Sequence, residues 1–91
     1  MRYDALPGEG LIESGITDLE RGIESVPALL VSIAAPRLRM LGVAVPEGTI
    51  PSPEARLYRL LQQTHGDAAH SQYNALIRRL VSYERAAECV R

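Results

Sequence analysis

Residues 26–35 read VPALLVSIAA and form the longest apolar run in the chain. The run is about half the length of a membrane-spanning helix, so it predicts a helix buried in a protein core. Ser25 is a favourable N-cap, and Pro27 is tolerated in a first helical turn. We therefore predict a helix that starts at Ser25 and reaches Ala35, where Pro36 breaks or kinks it.

The residues on either side of this run also have helical patterns. Residues 9–21 carry apolar side chains at steps of three and four with acidic residues between them, which predicts an amphipathic helix closed by Gly22. Residues 36–41, which begin with proline and precede Gly42, are either a short helix or the kinked end of the buried one.

Pro46, Gly48 and Pro51, with Pro53 just beyond, mark residues 43–52 as a connecting loop, with Val43, Val45 and Ile50 directed inward. A helix start follows at Ser52-Pro53-Glu54, where a cap precedes a proline and an acid. We expect this helix to end near His65, before Gly66.

The last helix is the longest, and Asp67 is its expected cap. A four-three alternation of apolar residues forms a seam along it: Ala69, Tyr73, Leu76, Leu80, Tyr83, Ala87 and Val90. Such a seam serves either a coiled-coil dimer or a helix bundle. Because Ile77 and Val81 widen the stripe, we favour the bundle.

These patterns predict an all-α fold, a compact bundle of four to five helices with a long C-terminal helix and no sheet. The 91 residues suit one domain, 1–91, with an N-terminal arm at 1–8 and the connecting loop at 43–52. We expect one aliphatic core, formed by Leu29, Leu30, Ile33, Leu57, Leu60, Leu61, Leu76 and Leu80.

Cysteine usage and charge narrow the class of protein. Cys89 is the single cysteine, so no internal disulfide can form, and neither a signal peptide nor a membrane span is visible. We therefore expect a cytoplasmic protein. The net charge is −1, divided into −4 up to Ala35 and +3 after it, which is not the basic excess of a dedicated nucleic-acid binder.

Two histidines and an aspartate, His65, Asp67 and His70, lie together at a helix junction. Side chains of these types can bind zinc, but their spacing matches no metal motif. Helix capping accounts for each of them separately, so we expect no metal and no cofactor.

Arg59 and His65 are separated by five residues in a helical hairpin. This spacing is similar to that of the HEPN superfamily of ribonucleases, small helical proteins often found in toxin–antitoxin systems. The resemblance covers residues 59–65 and implies that His65 carries a proton while Arg59 stabilises the transition state. Leu60 replaces the polar residue that follows the family's arginine.

Six arginines could form a phosphate-binding face, which makes nucleic-acid binding an alternative: Arg37, Arg39, Arg56, Arg59, Arg78 and Arg79. Arg78 and Arg79 could equally face solvent or pair with Glu20 and Glu24. No nucleophile arrangement is legible, so an enzyme is the less favoured class.

The function we favour is a non-catalytic helical protein–protein interaction module, an accessory subunit or adaptor of a bacterial complex. We expect a protein partner or a homo-oligomer, bound by an apolar surface within residues 26–41. Arginines would surround that surface, because arginine is enriched at interfaces. The candidate partner-binding residues are Arg37, Arg39, Arg56, Arg78 and Arg79.

The interpretation of His65, Asp67 and His70 as helix-capping residues makes a testable prediction. The purified protein should contain no stoichiometric metal, because capping explains His65, Asp67 and His70 without one. Elemental analysis checks this. A stoichiometric metal that disappears from a His65→Ala/His70→Ala variant would instead establish a metal site.

Overall fold

A computed structural model describes residues 6–90 of the chain. This part is 76% helical, and no strand occurs in it. In chain order the helices are α1 (Glu9–Glu20), α2 (Val26–Met40), α3 (Pro53–His65) and α4 (Ala69–Val90), with a 3-10 turn (Gly66–Ala68) before α4. The prediction of an all-α fold with a long last helix is confirmed.

The predicted number of four to five separate helices is slightly high. α3, the 3-10 turn and α4 follow one another without an interruption, so the described chain has three continuous helical stretches. Residues 36–40 belong to α2, which continues through Pro36. Proline removes one N–H from the helical ladder, but a buried apolar face on both sides of Pro36 keeps the helix continuous.

α2 is the central helix of the fold. It contacts α1, α3 and α4, and eight of its residues are buried. Leu29, Leu30 and Leu38 are fully buried. Burying a leucine stabilises a fold by about 1.5–3 kcal/mol, so these three side chains alone contribute strongly to folding. The prediction of a buried helix in this run is confirmed.

α1 crosses α2 with their backbones in close approach at Gly15, which is buried. A Cβ atom placed on Gly15 would lie 2.3 Å from the Pro27 carbonyl oxygen and 2.5 Å from Cγ2 of Val31. No side chain fits into that space. A glycine inside a helix costs about 1 kcal/mol relative to alanine, and here the close packing of two helices offsets the cost.

The connection between α1 and α2 is fixed by local hydrogen bonds. Gly22 has a φ of 72°, and the Ile23 N–H donates to the Asp18 carbonyl at 2.8 Å, which closes α1 in a Schellman arrangement. Ser25 Oγ accepts from the Ala28 N–H at 3.2 Å and donates to the Asp18 carboxylate at 2.6 Å. Ser25 is therefore the N-cap of α2, as the sequence predicts.

The side chains of Ser32 and Arg39 help to hold the loop between α2 and α3 onto α2. Ser32 Oγ donates to the Ala28 carbonyl at 2.9 Å and accepts from the Ile50 N–H at 3.1 Å. Arg39 Nη2 donates to the Pro46 carbonyl at 2.7 Å. The predicted inward residues Val43, Val45 and Ile50 pack against the core.

Ser52 precedes α3 as predicted, but its role as a side-chain cap is wrong. Its backbone is left-handed, with a φ of 47°, and its side chain makes no capping hydrogen bond. A non-glycine residue in this region is strained, and the strain accompanies the sharp turn from the loop into Pro53.

α3 and α4 form a helical hairpin that reverses at Gly66. The rings of Tyr58 and Tyr73 meet edge to face across it, with their centroids 5.8 Å apart. The seam of α4 packs within the chain, where Ala69, Leu80, Tyr83 and Ala87 are buried. The eight predicted core residues all belong to this core, although Ile33, Leu60 and Leu76 are only partly buried.

None of the helices within residues 6–90 combines the length and the apolar character needed to cross a membrane.

The crossing at Gly15 predicts an unusual response to mutation. Gly15→Ala should destabilise the fold by about 2 kcal/mol or more, because the added methyl forces α1 away from α2 and this outweighs the gain in helix propensity. Gly10→Ala is the matched control, since nothing lies within 4 Å of a Cβ at Gly10. That variant should be unchanged or up to about 1 kcal/mol more stable. Thermal or denaturant unfolding measures both, and equal stabilisation by the two alanines would contradict the close crossing.

Candidate functional site

Most of the expected apolar surface within residues 26–41 is buried inside the chain, although Met40 at its end is 73% exposed. The two arginines expected around that surface have intramolecular contacts. Arg37 pairs with Glu88 on α4 at 3.1 Å, and Arg39 binds the Pro46 carbonyl.

Arg56 on α3 is held in a bidentate ion pair with Glu24, with both N–O distances at 2.9 Å. The hydrogen bond from Arg56 lowers the pKa of the Glu24 carboxyl, and the same bond raises the pKa of Arg56. Both groups are solvent-exposed, so the pair contributes little to stability. The pair also means that Glu24 is bound by Arg56 and not by Arg78 or Arg79.

Beside this ion pair lies a shallow groove of about 120 Å³, lined by Glu24, Arg56, Arg59, Leu60 and Gln63. Arg59 is exposed, and its positive charge contributes to lowering the pKa of Glu24. An acidic side chain inside the groove opposes the binding of an anion there. Of the six arginines of the predicted phosphate-binding face, three are thus held by intramolecular partners: Arg37, Arg39 and Arg56.

Arg59 and His65 both lie exposed on α3, with His65 as its last residue. Six helical positions correspond to a rise of about 9 Å and a rotation of about 240°. The two side chains therefore leave the helix in directions roughly 120° apart. This placement does not bring them together as one site, although the HEPN-like spacing itself is present.

The three candidate metal ligands are exposed at the α3–α4 junction. His65 ends α3, Asp67 lies within the 3-10 turn, and His70 is in the first turn of α4. His70 Nε2 is 3.2 Å from Asn74 Nδ2, one turn further along α4. Within the described residues, no three or more side chains of His, Cys, Asp or Glu are grouped to hold a metal ion.

A second line of residues runs along α4, displaced by one position from the buried seam. This outer stripe, as we call it, has the same four-three spacing: His70, Asn74, Ile77, Val81, Glu84 and Glu88. Each successive residue of a helix is rotated by about 100°, so the outer stripe lies on the flank of α4 next to the core. It is polar at both ends and apolar in the middle.

The outer stripe is partly accessible, with four exposed and two half-buried members. Val81 is 37% exposed and Ile77 is half-buried. His70, Asn74 and Glu88 are exposed, whereas Glu84 is half-buried. The sequence predicts Ile77 and Val81 as a widening of the seam and offers His70 as a candidate metal ligand, whereas Asn74, Glu84 and Glu88 have no predicted role. Each residue of the outer stripe follows a residue of the buried seam by one position, and this offset is the sequence signal that groups the six residues.

The acidic end of the outer stripe lies next to the end of α2. Burial raises the pKa of the Glu84 carboxyl, and the charge of Arg37 partly opposes that rise. Glu88, one turn further on, holds the Arg37 guanidinium directly. Two carboxylates therefore lie near one arginine. Glu88 forms the ion pair, whereas the Glu84 carboxylate is desolvated and has only the more distant charge of Arg37 to stabilise it.

Comparisons of the chain with models of protein families, with curated proteins and with solved structures found no match.

The environment of Glu84 predicts a pH-dependent effect on stability. Its pKa is raised in the folded state, so the charged form disfavours folding, and this loss of stability disappears as the pH falls through the folded pKa. Glu84→Gln should therefore raise the melting temperature at pH 7, by about one or two degrees given its partial exposure, and change it less near pH 3.5. Glu88→Gln is the control, because it removes the Arg37 ion pair and should not stabilise. Thermal unfolding followed by circular dichroism measures the unmodified protein and both variants at the two pH values, and a lower melting temperature for Glu84→Gln at pH 7 would be inconsistent with this environment.

Proposed function

We propose that the protein is a non-catalytic helical interaction module, an accessory subunit or adaptor of a cytoplasmic bacterial complex. Its contact surface is the outer stripe of α4. The observation that carries the proposal is the exposed Val81, with the half-buried Ile77 one turn before it on the flank of the longest helix. The partner is a protein that presents an apolar surface of its own.

The composition of the outer stripe supports a protein contact. Single exposed apolar residues are common on protein surfaces. Apolar residues spaced three or four positions apart on a helix, however, are the usual anchors of a helix that binds in a partner's groove. Ile77 and Val81 occupy the middle, and hydrogen-bonding side chains occupy both ends. An apolar centre with a polar periphery is the usual anatomy of a protein interface.

Arginines accompany the outer stripe on its solvent side. Arg78 and Arg85 are exposed and lie three positions before and four positions after Val81, so they are its neighbours on the helix surface. Arg78 is one of the candidate partner-binding residues identified from the sequence. These two arginines take the place beside the apolar centre that Arg37 and Arg39 were expected to occupy.

A pair of neighbouring aspartate substitutions tests this surface. Val81→Asp places a charge in the apolar centre and should weaken partner binding at least about tenfold, since a buried unpaired charge is costly. Ser82→Asp adds the same charge at the next position, which is exposed and points about 100° away from Val81. It should leave binding unchanged.

The measurement is affinity capture of each tagged variant from its native host, with bound proteins quantified by mass spectrometry. Circular dichroism first establishes that both variants fold. Partners lost from Val81→Asp and kept by Ser82→Asp support the proposal. Equal capture by both variants contradicts it, as does RNA cleavage that is lost in Arg59→Ala or His65→Ala.

A further inference from the structure

We draw no further inference here: the strongest candidate, the surface of α4 around the exposed Val81 with Arg78 and Arg85 beside it, belongs to the contact already proposed, and nothing in the structure shows what covers it.

Discussion

The close approach of α1 to α2 at Gly15 is the constraint on which the packing of this fold depends. α2 is buried over most of its surface, so each neighbouring helix must come close enough to exclude water from it. At the crossing with α1 the distance is set by backbone atoms, since the Pro27 carbonyl occupies the place where a Cβ of residue 15 would be. Ile12 and Leu19, on the same face of α1, are buried as a result.

Hydrogen bonds from polar groups of α2 fix the position of the loop before α3, which apolar contacts alone do not determine. Ser32 is buried, and its hydroxyl satisfies both the Ala28 carbonyl and the Ile50 N–H. Together with the Arg39 contact to the Pro46 carbonyl, this side chain attaches the loop before α3 to the central helix. No buried side-chain nitrogen or oxygen within the described residues lacks a hydrogen-bond partner. The loop is therefore determined by specific bonds, which is how a proline-rich segment can be ordered without regular structure.

α4 has two lines of residues with the same spacing and different burial. The buried seam joins α4 to the rest of the bundle, and the outer stripe, one position later, remains accessible. A helix with a wide apolar stripe can serve a core and an external contact at once. Tyr83 belongs to the buried seam, where burial and the nearby charges of Glu9 and Glu13 on α1 raise the pKa of its hydroxyl.

The sequence by itself determined the features that depend on local spacing. The cap at Ser25, the end of α1 at Gly22 and the seam of α4 follow from interactions within a few residues, and the structure contains all three. Tertiary structure alone decided the role of Gly15, the pairing of Arg56 with Glu24 and the burial of the surface expected at 26–41. It also decided which flank of α4 stays accessible. These depend on residues distant in the chain, whose proximity arises only when the helices pack.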